Sequence, residues 1–267
     1  MDPDLDSITS WRTEGLLEKD GIMIGSDHAL ESWIPFWFAN YSKYNNFPIT
    51  VADFGMSLEM RKWCEKRWEV ITVDLPLSLF KNRMPLIQQK LSRKGKLRPQ
   101  KRYCWFRIPF ALLKTPYRRT IWMDLDCLVM GKIDELFGYA ENPFGVALGE
   151  DNRPEKIKTK IEVGIIKPGE KHFNCGVMPY LHGTELIQQW AASIIEKEGY
   201  YLGNQVFFLE LLSERGINLP TFPKKYNWIV PESGVNRNAT ILHFIEDSKD
   251  MAVKLLDDFY KTHNKIS

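Results

Sequence analysis

The feature that most constrains this chain is an alternation that runs through most of its length. Short apolar or β-branched runs are followed repeatedly by stretches with helical spacing. "GIMIGSD" (21–27), "PITVADF" (48–54), "EVITVD" (69–74), "RTIWM" (119–123), "FGVALGED" (144–151), "NCGVMPY" (174–180) and "ATILHFI" (239–245) read as strands. Segments 29–44, 57–68, 103–114, 184–199 and 204–216 read as helices, and a weakly amphipathic helix closes the chain. Ser57 is placed to cap the second of these. In 184–199, Leu186, Ile187, Trp190, Ala191, Ile194 and Ile195 form one apolar stripe, with Gly199 past its end. Repeated β–α–β units followed by a mixed tail predict an α/β fold of three layers. Ligands in such folds bind beyond the carboxyl ends of the strands. Asp27, Asp124, Asp126, Asp151 and His243 all fall at or near those ends.

The chain has 267 residues and no Gly/Ser/Pro-rich linker, so one domain over 21–262 is expected, after a polar N-terminal segment at 1–20. That segment does not read as a signal peptide, and no apolar run approaches a membrane span. Cys64, Cys104, Cys127 and Cys175 lack C-x-x-C spacing and read as reduced thiols, so a cytoplasmic protein is expected. The net charge of +2 names no partner. Residues 81–102, however, hold nine Lys/Arg and no Asp/Glu. This run is either a solvated connection or an attractor of anions, such as a phosphorylated substrate or an anionic membrane surface. No nucleic-acid-binding motif accompanies it, so nucleic acid is not expected as a partner.

"TIWMDLDCLVM" (120–130) carries the chemistry. An apolar approach leads into two carboxylates one residue apart. Burying charge is costly unless it is paired or coordinated. Residues i and i+2 of an extended segment point the same way, so Asp124 and Asp126 can converge on one cation. Oxygen donors suit Mn²⁺ or Mg²⁺ rather than a soft metal. Such a site usually completes its shell with water and substrate phosphates. A lone D-x-D also occurs in ordinary turns, as a solvated and a helix-capping aspartate.

The run "WFRIPFALLKTPYRRTIWMDLDCLVMGKIDELF" resembles the core of the family 8 glycosyltransferases, the group that includes glycogenin and bacterial lipopolysaccharide galactosyltransferases. "HFNCGVMPY" (172–180), "GNQ" (203–205), "KYNW" (225–228) and "LHF" (242–244) continue the resemblance in order, over roughly 21–250. The resemblance implies the GT-A fold, Rossmann-like with a mixed central sheet. It also implies transfer of a hexose from a nucleotide diphosphosugar, a UDP-sugar above all, with Mn²⁺ and retention of configuration. The acceptor is left open among glycan, lipid and protein. Asp124, Asp126 and His243 would hold the metal. Ser26, Asp27, Arg107, Asp124, Leu125, Asn174, Gly176 and Lys249 would contact the donor. Gln205, Asn204 and Asp151 would sit at the reacting centre. Two positions depart from the family pattern. Asn204 stands where the family has aspartate, and Glu246 where it has glycine. Asn204 reads either as a site residue or as a helix cap.

Two alternatives compete. A haloacid-dehalogenase-type phosphatase also uses an apolar-D-x-D motif, but near the start of its chain. A glycosyltransferase-like binding protein with impaired turnover would fit the departures at Asn204 and Glu246.

Overall fold

A computed structural model of the chain describes residues 8–73, 75, 103–197 and 203–262. The basic run at 81–102 and Gly199 lie outside the described residues. The first strand, β1 (Leu17–Ser26), is followed by α1 (Trp33–Tyr41), β2 (Ile49–Asp53), α2 (Leu58–Glu65) and β3 (Glu69–Thr72). Next come α3 (Tyr103–Leu112), β4 (Tyr117–Met123), β5 (Cys127–Val129) and a 3₁₀ turn over Asp134–Ala140. The middle of the chain holds β6 (Gly149–Glu150), α4 (Pro154–Glu162), β7 (Phe173–Asn174), β8 (Val177–Leu181), α5 (Glu185–Glu196) and α6 (Asn204–Glu214). The chain ends with β9 (Trp228–Ile229), α7 (Val230–Ser233), β10 (Ile241–His243) and α8 (Lys249–Thr262).

The main sheet has the order β3-β2-β1-β4-β8. β1 pairs in parallel with β2 and β4, β2 pairs in parallel with β3, and β8 runs antiparallel to β4. Alternation along the strands makes the three layers. Met23 and Trp122 point into one core, with Phe110, Trp190 and Phe208 from α3, α5 and α6. Ile22, Ile24, Ile121 and Met123 point into the other, with Ile34 and Trp37 from α1. Both faces are dry, so the central strands read as continuous apolar runs. A second sheet, β5-β10-β9, packs beside the first, and β6 pairs with β7 in a short ribbon.

Helix ends follow local chemistry. Ser57 Oγ accepts from Met60 N at 3.1 Å, as a cap should. α4 begins with Pro154, a residue suited to the first helical turn. No residue of this helix is fully buried, although Ile157 and Ile161, one turn apart, pack against the core.

Three expectations need correction. The first strand begins at Leu17, inside the segment expected as a polar N-terminal stretch. Leu17 pairs with Tyr117, and Asp20 forks onto Arg119 at 2.7 Å through both oxygens, so charge rather than apolar patterning carries this extension. "FGVALGED" is not one strand. Val146 bridges to Tyr180 and Leu148 to Thr221, and only Gly149–Glu150 forms a ribbon, because successive residues face different partners. "NCGVMPY" is split between β7 and β8 at Cys175–Gly176.

Candidate functional site

A cleft opens at the carboxyl ends of β1 and β4, where the sheet order reverses direction. β1 ends in Ser26 and Asp27, and Asp27 Oδ1 accepts from Ala29 N at 3.0 Å and Leu30 N at 3.2 Å. Leu30, Trp33, Phe54, Trp105 and Ile108 make an apolar wall beside them. β4 delivers Asp124, Leu125 and Asp126 into the floor. Asn174, Cys175 and Gly176 arrive from the break between β7 and β8. Asn204 and Gln205 start α6, while His243 and Lys249 come from β10 and the first turn of α8.

The sheets place the two aspartates and His243 together. Asp124 N donates to Gly176 O at 2.8 Å, and Phe244 N donates to Asp126 O at 2.9 Å. β10 pairs antiparallel with β5, His243 opposite Cys127, so the imidazole lands beside the carboxylates. His243 Nε2 lies 3.2 Å from Asp126 Oδ1 and 4.0 Å from Asp124 Oδ2. Asp124 Oδ1 accepts from Trp122 Nε1 at 2.8 Å, and Asp126 Oδ2 pairs with Lys249 Nζ at 2.8 Å. Gly176 makes the close approach possible. A Cβ there would stand 2.1 Å from His243 Cε1 and 3.0 Å from Asp124 Oδ2.

A chain of hydrogen bonds fixes the imidazole's tautomer. Gly176 N donates to Asn174 Oδ1 at 2.9 Å, so that atom is an acceptor. Asn227 Nδ2 must then be the group that donates to it, at 3.0 Å. Asn227 Oδ1 therefore faces His243 Nδ1, at 2.9 Å, and Nδ1 carries the proton. The neutral ring is left with a bare Nε2 lone pair. Both Nε2 and Asp126 Oδ1 are buried without a hydrogen-bond partner. Two orphaned lone-pair atoms facing one another are costly unless a cation sits between them.

Burial and neighbouring charges set the two carboxylates apart. Burial, and then the charge of Asp126, push Asp124 up to about 6. Burial alone would raise Asp126; His243, when its ring is charged and Nε2 carries a proton, and the Lys249 ammonium hold it down at about 2. Asp126, Cys127 and His243 bring potential ligand atoms within 4.8 Å of one another. Burial pushes the Cys127 thiol well above its ordinary range, and Sγ points at Gly176 O at 3.8 Å. A protonated, soft sulfur is a poor ligand for a hard cation, whereas carboxylate oxygens and a neutral imidazole are good ones. The residues present thus fit a divalent metal.

Not every anticipated residue reaches the cleft wall. Arg107 turns aside to donate to Phe54 O at 2.7 Å, because α3 presents 104, 105 and 108 to the cleft and 107 to its flank. Asp151 is fully buried in a fork with Arg153, at 2.8 and 2.6 Å. Asn204 is not the helix cap. Gly203 takes that position, in an extended conformation, and Asn204 is the first helical residue. Gln205 is pinned at both ends of its amide, accepting from Cys175 N at 3.1 Å and donating to Phe173 O at 2.8 Å. Sequence reasoning missed Asn227, although "KYNW" contains it. It missed Trp122 and Arg153 too, whose side-chain partners are visible only in three dimensions.

Comparison with known proteins agrees with the fold. No curated protein matches the chain. The galactosyltransferase LgtC, solved with donor and acceptor sugar analogues, superposes with a TM-score of 0.60 at 14% identity, covering 93% of this chain and 98% of LgtC. The glycosyltransferase GlyE of Streptococcus pneumoniae TIGR4 gives 0.54 at 14% identity, covering 93% and 66%. Mouse xyloside xylosyltransferase 1 gives 0.51 at 13% identity, covering 84% and 97%. The architecture is the GT-A fold. The model for glycosyl transferase family 8 matches residues 46–250, a span holding the aspartate pair, Asn174, Gln205, His243 and Lys249. The chain therefore belongs to glycosyl transferase family 8.

Proposed function

We propose that this protein is a metal-dependent glycosyltransferase that moves a hexose from a UDP-sugar to a hydroxyl acceptor with retention of configuration. The observation that carries this reading is the pair of orphaned atoms, Asp126 Oδ1 and His243 Nε2, in the floor of a cleft at the sheet's carboxyl end. Asp124, Asp126 and His243 would hold Mn²⁺ or Mg²⁺. When bound, the metal neutralises charge on the diphosphate and makes the nucleoside diphosphate a better leaving group.

The remaining roles belong to the chain's own side chains. Asp27, at the end of β1 and beside Leu30 and Trp33, would meet the base or ribose. The apolar wall excludes water, which would otherwise compete with the acceptor. Lys249 stands at the metal side of the cleft and would meet phosphate oxygens once a cation takes over Asp126. Asn174 and Gly176 shape the space above the carboxylates. Gln205, immobilised at both amide ends, offers a rigid polar surface beside the donor sugar, and Asn204 lines the cleft next to it. Asp27, Asp124 and Asp126 are the carboxylates lining the cleft among the described residues. None of them is spare to act as an enzymic nucleophile, which favours attack by the acceptor on the face the leaving group departs from. Arg107 and Asp151 act, on this reading, from behind the wall. The domain is taken to run from Leu17, where β1 begins, to Thr262, where α8 ends. The four cysteines are buried and form no disulfide, which supports work in a reducing compartment such as the cytoplasm. Among the described residues no helix is long and apolar enough to cross a membrane.

The test is a set of nucleotide diphosphates and nucleotide sugars, each with and without Mn²⁺. Ligand at 100 times its Kd stabilises the fold by about 2.7 kcal/mol. For a domain of this size the melting point should rise by roughly 5–10 °C. Absence of any shift with UDP and Mn²⁺ removes the reading. Donor hydrolysis in the same samples separates an enzyme from a protein that only binds.

A further inference from the structure

Glu246 is the only non-glycine residue with a positive φ among the described residues, at 50°. A side chain with a Cβ enters that region at a cost, and stays only where its surroundings hold it. Here charge holds it. One Glu246 oxygen lies 2.9 Å from Arg153 Nη1, and the other lies 2.7 Å from Lys156 Nζ.

Both cations belong to the start of α4, and Arg153 is itself fixed. Its guanidinium forks onto Asp151, whose backbone N donates to His172 O at 2.9 Å beside the β6–β7 ribbon. That ribbon also delivers Asn174 to the cleft. Glu246 lies midway between His243 and Lys249 in the chain. The loop joining them is tied elsewhere by Phe244 N to Asp126 O, and by Ser248 Oγ, which donates to Ile245 O at 2.7 Å. Those bonds fasten it to the aspartate turn and to itself. Glu246 adds the tie to the ribbon and to α4, on the opposite flank. Where the family resemblance implies glycine, this chain has an acid that takes up a glycine-like backbone and uses its side chain to remain there.

We infer that Glu246 is a latch, and that Glu246 and Arg153 are positioning residues for the diphosphate of the donor. The two ion pairs hold loop 244–249 in the conformation that aims Lys249 Nζ into the cleft, 2.8 Å from Asp126 Oδ2. The inference rests on the reading of the cleft as a nucleotide-sugar site. The pairs with Glu246 are partly exposed, so added salt loosens the latch.

Glu246→Asn tests it. Asparagine tolerates a positive φ, and the Asp151–Arg153 fork is untouched, so the protein should fold. Glu246→Gly serves as a second variant with the same backbone freedom. Hydrogen exchange of the 244–250 amides, without ligand, should speed up several-fold in both variants. The Kd for UDP in saturating Mn²⁺, by calorimetry, should rise about fivefold, the scale of a partly exposed ion pair. In turnover, donor KM should rise while kcat holds. Wild-type UDP affinity should fall more steeply with salt than that of either variant. Unchanged exchange, or faster exchange with unchanged UDP affinity and KM, overturns the latch. If the wild type binds no nucleotide diphosphate, the donor-site reading fails instead. The exchange measurement then decides the latch alone, faster exchange supporting it and unchanged exchange refuting it.

Discussion

Asn227→Leu probes the least conspicuous member of the site. Asn227 is almost fully buried and touches no substrate on our reading, yet it sets the tautomer of His243 through the 2.9 Å contact between Nδ1 and its Oδ1. Leucine keeps most of the volume and removes both polar ends. His243 Nδ1–H then loses its acceptor. A buried donor left unsatisfied costs about 1–3 kcal/mol, a melting loss of roughly 2–12 °C at this chain length. The ring can escape that cost by moving its proton to Nε2. From there the proton points at Asp126 Oδ1, 3.2 Å away, and the lone pair meant for a cation is gone. Loss of such a supporting hydrogen bond costs about 10–100-fold in metal affinity. That range corresponds to about 1.4–2.7 kcal/mol. The assay is Mn²⁺ titration of the metal-free protein by calorimetry, well below the melting point. Long-range ¹⁵N–¹H NMR of the imidazole reads the tautomer directly. Wild type should carry its proton on Nδ1, and the variant on Nε2. A wild type protonated on Nε2 would refute the tautomer chain, and a folded variant with undiminished Mn²⁺ affinity would refute its link to the metal.

Asp124 should make the metal-free protein lose stability as pH rises. Its folded pKa, about 6, lies above the ordinary carboxyl value, so the folded state holds a proton that the unfolded state releases. The resulting stability is fully present below about pH 4 and lost as pH climbs through about 6. Asp124→Asn should flatten that part of the melting profile in chelator, and an unchanged slope would remove Asp124 as its source. Gly176→Ala should abolish Mn²⁺ binding, because the new methyl would stand 2.1 Å from His243 Cε1. Its stability cost should be about 1–3 kcal/mol by urea denaturation, and retained Mn²⁺ binding would refute a close approach of the ring to residue 176. Asn204→Asp and Asn204→Ser should both alter donor hydrolysis or transfer, since Gly203 rather than Asn204 caps α6. Equal rates in all three proteins, at equal melting points, would leave Asn204 without a chemical role.

The sequence by itself determined the layered α/β plan and the place of its chemistry. The apolar runs 119–123 and 239–245 read as strands, which puts the charges at their ends at the sheet's carboxyl edge. The D-x-D spacing, with a histidine in a late apolar run, was legible for the same reason, because strand periodicity fixes direction locally. The strand extension to Leu17 was not legible, since it rests on an ion pair between residues 20 and 119. Nor was α4, whose apolar face is only two isoleucines one turn apart, Ile157 and Ile161. What only the tertiary structure decided was which polar groups meet. Asn227 faces His243 because β9 runs parallel to β10. Arg153 takes Asp151 from the cleft wall, and Glu246 closes onto α4. Local spacing governs which way a side chain points along its own strand. Partners supplied by distant segments depend on sheet order and on how buried charge must be neutralised, and those are settled only when the whole chain has packed.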